Sequence, residues 1–179
     1  MRLFAISGSL RARSSNAETL RAAALLAPAG VAVTLYDGLA ALPAFNPDLD
    51  TPDAPEYLPA PVAALRAEIA CADGLLISSP EYAHGVAGAL KNALDWLVGS
   101  LDFAGTPVAV INAAPRAVLA DAQLREILAT MAARLVEPAS IAIPVQSTGL
   151  DAAAIAAHPA LAVALRDAMA RFCDAVAAP

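Results

Sequence analysis

Residues 2–16 read RLFAISGSLRARSSN, and the order of residue types in this stretch decides the fold. An apolar run, Arg2–Ile6, is followed by a polar loop and then by a segment with helical spacing of its apolar residues. A continuously apolar run is typical of a strand that is covered on both faces, as in parallel sheets. The stretch therefore predicts a strand, a loop and a helix, which form the first part of a β–α–β unit.

The same alternation continues along the chain. Further aliphatic runs predict strands at Val31–Tyr36, Gly74–Ser78, Pro107–Ile111 and Ser140–Ile143. The segments between and after them carry apolar stripes spaced by three, four or seven residues, as the buried face of a helix requires. The stripes are Leu20, Ala23, Ala24 and Ala27; Val62, Leu65 and Ile69; Leu90, Leu94 and Leu97; Leu124, Ile127, Leu128, Met131 and Leu135; and Leu161, Leu165, Phe172 and Val176. This order predicts an α/β domain, with a parallel sheet between two layers of helices.

The amino-acid composition and net charge argue against some classes of protein. Of the 179 residues 59% are hydrophobic, and 11 Lys+Arg against 17 Asp+Glu leave a net charge of -6. This length suits one domain, so we expect a single domain over residues 1–179. A nucleic-acid-binding protein usually has a basic patch, and the sequence shows none. Charged residues or prolines interrupt the apolar runs before they reach the roughly 20 residues of a membrane-spanning helix.

The start of the chain and its two cysteines indicate the cellular compartment that we expect for the protein. The apolar stretch at the start is too short for a signal peptide. Cys71 and Cys173 have neither CxxC nor metal-ligand spacing, which predicts two buried free thiols and no metal site. We therefore expect a cytoplasmic protein with neither a nucleic-acid partner nor a membrane partner.

The loop Ser7–Asn16 predicts a phosphate site. Hydroxyls, two arginines and an asparagine precede a predicted helix, whose first turn offers unpaired N–H groups and a partial positive charge. Neither GxxxxGK[ST] nor GxGxxG occurs there, which argues against a P-loop NTPase and against the usual dinucleotide fingerprint. A receiver domain would need an acidic pair after the first strand and an aspartate after the third, but serine, glycine and proline residues stand at these places. Taken singly, Ser14, Ser15 or Asn16 could simply cap the helix.

The loop after the third strand reads SPEYAHGVAGALKNALDW over residues 79–96. Gly85 and Gly88 permit tight turns and close approach of a flat ligand. Ligands of doubly wound sheets bind beyond the carboxyl ends of the strands. We therefore predict a backbone wall against a planar ring. For Glu81 and His84, an acid–base role competes with ordinary hydrogen bonding.

Together the loops resemble the NAD(P)H-dependent FMN reductase family, flavodoxin-like proteins that include quinone, azo-dye and chromate reductases. Residues 8–16 look like the family's GSxRxxSxN phosphate loop. Residues 79–96 look like [ST]PEYxxxxPGxLKNAxDW, and residues 42–50 are similar to LPxYNxDLE. The resemblance implies a flavodoxin-like three-layer sandwich with a five-stranded parallel sheet in the order 2-1-3-4-5.

The resemblance also implies an activity. NADPH or NADH would pass hydride to N5 of bound FMN, and a quinone, flavin, azo compound or metal oxyanion would then be reduced in a ping-pong cycle. The flavin carries this chemistry, so no catalytic side chain is expected. Family members are commonly dimers or tetramers, and the alanine-rich composition agrees, so we expect a homodimer or a homotetramer.

The resemblance assigns roles to matched positions. The FMN phosphate would be held by Ser9, Arg11, Ser14 and Asn16, with Ser15 contributing backbone. The isoalloxazine ring would be lined by Pro80, Glu81, Tyr82 and Ala83, with His84 and Gly85 at the edge of the pocket. Asn112, after the fourth strand, is a further expected flavin contact.

The sequence departs from the family in two places. Ala87 stands where the family usually has proline, and the loop after Asn112 lacks the glycines of GxSxGxxGGxRA. Arg116 in that loop could attract a phosphate of the nicotinamide cofactor, or it could be a solvated residue at a helix start. A flavodoxin-type electron carrier and a flavin-free regulatory domain stay as alternative functions.

Overall fold

The structure is a computed structural model that describes residues 1–51 and 55–178. Its strands are β1 (Arg2–Ser7), β2 (Ala32–Leu35), β3 (Gly74–Ser78), β4 (Glu81–Tyr82), β5 (Gly85–Val86), β6 (Pro107–Asn112), β7 (Arg134–Leu135) and β8 (Ile141–Ala142). Its α-helices are α1 (Ser15–Leu25), α2 (Ala60–Ala70), α3 (Gly88–Val98), α4 (Val118–Thr130), α5 (Ala152–Ala157) and α6 (Pro159–Ala177). Short 3-10 turns lie at Gly38–Ala41, Pro47–Leu49, Pro55–Tyr57 and Glu137–Ala139.

The main sheet is parallel and runs in the order β2-β1-β3-β6-β7, with β8 also paired to β6. This confirms the predicted flavodoxin-like fold and strand order, except that the fifth strand is divided in two. Ser140, predicted to begin that strand, instead follows a 3-10 turn that contains Pro138. Proline has no N–H to donate to a neighbouring strand, so pairing stops at the turn and resumes at β8.

Helices cover both faces of the sheet, because successive side chains of a strand point to opposite sides. Along β1, Phe4 and Ile6 enter one core cluster, which contains residues of α2, α3 and α4. Leu3 and Ala5 enter the other cluster, which contains residues of α1, α5 and α6. The predicted three-layer sandwich is therefore confirmed.

The fourth predicted helix is too long at its end. Leu135 belongs to β7, because α4 ends at Thr130 and Ala132 has a positive φ of 58°. The N–H of Ala133 donates to the carbonyl of Leu128 at 2.9 Å, and that of Ala132 donates to Ala129 at 2.9 Å. These two bonds form a Schellman motif, which turns the chain into the next strand.

Three other features differ from the sequence prediction. The β4–β5 hairpin and the short helix α5 were not predicted. Cys173 is buried as expected, but Cys71 is exposed. Within residues 1–51 and 55–178, no helix combines the length and apolar character that crossing a membrane requires.

Candidate functional site

A cavity opens at the carboxyl edge of the sheet. Its volume of about 270 Å³ is near the lower end of the ~300–1,000 Å³ that is common for ligand sites. It lies where the loops after β1, β3 and β6 meet. The lining residues are Ser9, Arg11, Arg13, Ser14, Ser15, Asn16, Pro80, Glu81, Tyr82, Ala113, Ala114, Arg116, Ala117 and Gln146.

Packing and hydrogen bonds hold the loop after β1 in place. A Cβ at Gly8 would stand 3.1 Å from the Cβ of Leu90, a tight contact, so glycine lets the loop pass close to α3 without displacing Leu90. The N–H of Gly8 donates to the carbonyl of Ser78 at 2.8 Å. The Ser78 hydroxyl donates to Oδ1 of Asn16 at 2.9 Å. The start of α1 is thereby tied to the end of β3.

The first turn of α1 presents donors to the cavity. Ser14 is the N-cap, and its Oγ accepts the N–H of Ala17 at 3.3 Å. Among the described residues, the N–H groups of Ser15 and Asn16 have no partner. Both residues line the cavity. Free N–H groups, hydroxyls and the positive end of the helix dipole are the donors that a phosphate requires.

The wall after β3 is a hairpin with a two-residue turn. Ala83 and His84 have positive φ values of 49° and 62°, which matches the type I′ turn that connects twisted strands. The N–H of Val86 donates to Oε1 of Gln123 at 2.8 Å and ties the hairpin to α4. Pro80 and Tyr82 line the cavity, and Tyr82 is 51% exposed.

Glu81 joins this hairpin to the start of α4. Its Oε2 accepts the N–H of Leu119 at 3.0 Å and that of Ala120 at 2.9 Å. Its Oε1 lies 3.3 Å from Nδ1 of His84. The bond from Ala120 is the largest cause that lowers the pKa of Glu81, and His84 and Leu119 act in the same direction. Glu81 is therefore a carboxylate that caps a helix, and these contacts favour its hydrogen-bonding role over an acid–base role.

The loop after β6 is held by Asn112 and not by glycines. The Asn112 side chain is buried; its Nδ2 donates to the carbonyl of Ala117 at 3.2 Å and its Oδ1 accepts the N–H of Ala114 at 2.8 Å. The N–H of Gln146 donates to the carbonyl of Ala113 at 2.8 Å. Asn112 thus shapes the cavity wall from behind, in contrast to the direct contact expected from the sequence.

The structure brings most of the predicted site residues together. The cavity is lined by Ser9, Arg11, Ser14, Ser15, Asn16, Pro80, Glu81 and Tyr82. Ala83 and His84 form the exposed turn of the hairpin and Gly85 begins β5; all three lie outside the lining. Sequence reasoning counted Arg13 among the charges of the phosphate loop without a specific contact and left the role of Arg116 open. It assigned no role to Ala113, Ala114, Ala117 and Gln146. Arg13 and Arg116 belong to loops that the sequence analysis had already considered as parts of the binding site, whereas no motif indicated Gln146.

The charge of the cavity is positive. Arg11, Arg13 and Arg116 line it, and among the described residues their guanidinium groups make no hydrogen bond or ion pair. Most other arginines do have partners: carboxylates for Arg21, Arg66 and Arg125, and carbonyls for Arg134 and Arg171. Glu81 is the one acid among the lining residues. The cavity is therefore suited to an anion, although the whole chain is acidic.

Three relatives have names that bear on function. An NAD(P)H-dependent FMN reductase of Pseudomonas aeruginosa is 36% identical over 115 residues, which cover 63% of this chain and 60% of that relative. A 2-hydroxy-1,4-benzoquinone reductase of Burkholderia sp. is 34% identical over 158 residues, with coverages of 85% and 83%. A quinone reductase of Escherichia coli K12 is 40% identical over 58% of this chain. The chain spans only 60% and 54% of the Pseudomonas and Escherichia relatives.

The fold comparison agrees. FerB, a flavoenzyme NAD(P)H:(acceptor) oxidoreductase from Paracoccus denitrificans, superimposes with a TM-score of 0.76 at 26% identity, over 98% of this chain and 96% of that one. The sequence model of NADPH-dependent FMN reductases matches residues 1–148. This match covers both motif loops and every strand of the main sheet. The chain therefore belongs to the NADPH-dependent FMN reductase family.

Proposed function

We propose that this protein is an FMN-dependent oxidoreductase that uses NADPH or NADH to reduce quinone-type acceptors. One observation carries the proposal. Ser15, Asn16 and Arg11 line the same cavity as Pro80 and Tyr82, and among the described residues the N–H groups of the first two and the guanidinium of the third have no partner. A phosphate site and a flat, partly apolar wall are thus placed side by side, as a phosphorylated planar cofactor needs.

The described residues fit FMN. Its phosphate would be held by Ser9, Arg11, Ser14, Ser15 and Asn16, and its ring would lie against the Pro80–Tyr82 segment. When bound, FMN supplies two-electron transfer between a nicotinamide and an acceptor. The protein contributes binding, orientation and electrostatics.

The overall reaction is balanced without a catalytic side chain. NAD(P)H and one proton reduce a quinone to a hydroquinone, and NAD(P)⁺ is released. Glu81 is a poor proton donor at neutral pH, because its pKa is lowered by the Ala120 N–H and its oxygens are engaged. We therefore expect the proton to come from solvent at the open mouth of the cavity.

The names of the relatives support a quinone as acceptor. One relative is named for quinones in general, and the Burkholderia relative for a hydroxylated benzoquinone. Reduction of flavins, azo compounds and metal oxyanions stays a prediction from the resemblance.

The decisive experiment is the visible spectrum of the protein after FMN loading and gel filtration. Retained flavin absorbance that anaerobic NADPH or NADH bleaches, and that 1,4-naphthoquinone then restores, is the expected result. Retained flavin that neither nucleotide bleaches would support an electron carrier. No retained flavin would contradict the proposal and favour the flavin-free regulatory domain.

We also propose that the protein is a homodimer or homotetramer. The exposed apolar side chains of Val98 and Leu101, at 66% and 95% exposure, support an interface near the end of α3. Light scattering at working concentration tests this, and a monomer would contradict it. The single domain over residues 1–179 and the cytoplasmic location stay predictions.

A further inference from the structure

The cavity holds more positive charge than the phosphate loop explains. The GSxRxxSxN pattern accounts for Arg11 alone, since Arg13 stands at one of its variable positions and Arg116 lies on another loop. Arg116 follows β6, which is separated from β1 by β3. Neighbouring strands lie about 4.8 Å apart, so the backbones that carry Arg116 and the phosphate loop are on the order of 10 Å apart.

Arg116 shares the cavity with an aromatic side chain and precedes two exposed apolar residues in the chain. Tyr82 lines the same cavity, and Val118 and Leu119 follow Arg116 at the start of α4 with 60% and 51% exposure. The charge of Glu81 is offset by the N–H groups of Leu119 and Ala120. A guanidinium that has no partner among the described residues and shares a cavity with an aromatic ring is a combination that recognises a flat aromatic anion.

We propose that Arg116 makes this site selective for anionic aromatic acceptors, namely hydroxyquinones that are ionised at neutral pH, over neutral quinones of similar size. The proposal rests on the proposed function and names the acceptor class of the same site. Arg116 alters neither the electrons nor the protons of the reaction. It stabilises the bound anion by a charge-assisted hydrogen bond to the ionised oxygen.

The test compares 2-hydroxy-1,4-naphthoquinone, which is an anion at pH 7.5, with neutral 1,4-naphthoquinone. The protein is loaded with FMN, and kcat/KM is measured for both acceptors at fixed NADPH. Binding of the hydroxyquinone to the oxidised protein is measured separately, without NADPH, from its visible absorbance. Arg116→Ala removes the charge and Arg116→Lys keeps it. Arg166→Ala is the matched control, because Arg166 is exposed on α6 and does not line the cavity.

Wild-type protein should prefer the hydroxyquinone. Arg116→Ala should lower the ratio of the two kcat/KM values roughly tenfold, as expected for the loss of one hydrogen bond to a charged group. The dissociation constant for the hydroxyquinone should rise by a similar factor. Arg116→Lys should largely restore the ratio, and Arg166→Ala should keep it. Raising the salt from 0.1 to 1 M shortens the screening length from about 10 to about 3 Å and should shrink the preference.

Several outcomes would overturn the inference. The first is a ratio of the two kcat/KM values that Arg116→Ala leaves unchanged. The second is a lowered ratio that Arg116→Lys does not restore. The third is an unchanged ratio together with weaker FMN retention in Arg116→Ala. The last result would assign Arg116 to the cofactor. Failure of the proposed function is distinguishable, because wild-type protein would then oxidise NADPH with neither quinone, while hydroxyquinone binding to the oxidised protein would still test Arg116.

Discussion

The carboxylate of Glu81 accepts the backbone N–H of Ala120 at 2.9 Å, although the two residues are 39 positions apart in sequence. Through this contact a residue that follows β3 caps the N-terminus of α4, the helix that follows β6. The cap joins two of the three loops that surround the cavity. It also explains how a loop without the family's glycines keeps its place beside the site.

Replacement of Glu81 should destabilise the protein in a pH-dependent way. Glu81→Gln keeps a hydrogen-bond acceptor but loses the charge that the helix dipole favours, and Glu81→Ala loses both. The melting temperature at pH 7 should therefore fall for Glu81→Gln and fall further for Glu81→Ala. The bonds from α4 lower the pKa of Glu81 in the folded protein. Its stabilising effect is thus fully present above the unfolded pKa of about 4.3 and is lost as the pH falls through the lower, folded value.

Thermal unfolding of wild type and Glu81→Gln between pH 3 and pH 7 tests this. The gap between their melting temperatures should close towards the acidic end. Glu126→Gln, on the exposed side of α4, is the matched control and should show a small gap throughout. A Glu81→Gln gap of the same size at both ends of the range would exclude the proposed linkage.

Arg11→Ala should weaken FMN binding strongly. The guanidinium of Arg11 has no partner among the described residues and lies in the cavity beside the first turn of α1. Loss of a hydrogen bond to a charged group costs about 1.5–3 kcal/mol, or at least a tenfold rise in the dissociation constant. Quenching of FMN fluorescence on titration measures it. Arg2→Ala removes the same charge at the opposite end of β1 and should leave FMN affinity unchanged; equal affinities of the two variants would show that Arg11 does not bind the phosphate.

Ala132→Gly should stabilise the protein. Ala132 occupies the left-handed position of the Schellman motif after α4, with φ of 58°. This conformation costs an L-residue with a Cβ about 1–2 kcal/mol and costs glycine little, which outweighs the extra chain entropy of glycine. The expected gain is about 0.5–1 kcal/mol in urea unfolding. Ala122→Gly, at an exposed position within α4, should instead cost about 1 kcal/mol. A loss of stability in both variants would contradict the assignment.

Asn92→Ala should loosen the segment after the first 3-10 turn. The Asn92 amide donates to the carbonyl of Pro43 at 2.9 Å and accepts the N–H of Phe45 at 2.8 Å. Trp96 Nε1 donates to the same carbonyl at 2.8 Å. Loss of the amide should cost about 1–3 kcal/mol in urea unfolding.

The emission of Trp96, the single tryptophan, gives a second readout for Asn92→Ala. A shift to longer wavelength in the folded variant would report that the Pro43–Phe45 segment has moved off the indole. Asn46→Ala, which affects only the local bond to Asp48, should have the smaller effect on stability. If Asn92→Ala is no more destabilising than Asn46→Ala, Asn92 does not fasten this segment.

The parts of the fold that follow from neighbouring residues were predictable. Apolar spacing marked β1, β3 and β6 and the helices between them, because burial on both faces of a sheet dictates those residues locally. Where the expectation was wrong, a local breaker or a distant partner decided the result. Pro138 divided the fifth strand, and the left-handed Ala132 ended α4 before Leu135.

The sequence alone determined the family and the α/β order. It also predicted the phosphate loop, because the donors of that loop are close together in sequence at one helix start. Only the tertiary structure decided which polar groups are occupied. Glu81 and Asn112 are engaged by distant or buried backbone groups, whereas Arg11, Arg13 and Arg116 line one cavity and have no side-chain partner among the described residues. Hydrogen bonds and charges act between groups that are close in space. Whether a side chain stabilises the fold or is available to a ligand therefore depends on contacts between residues that are distant in sequence.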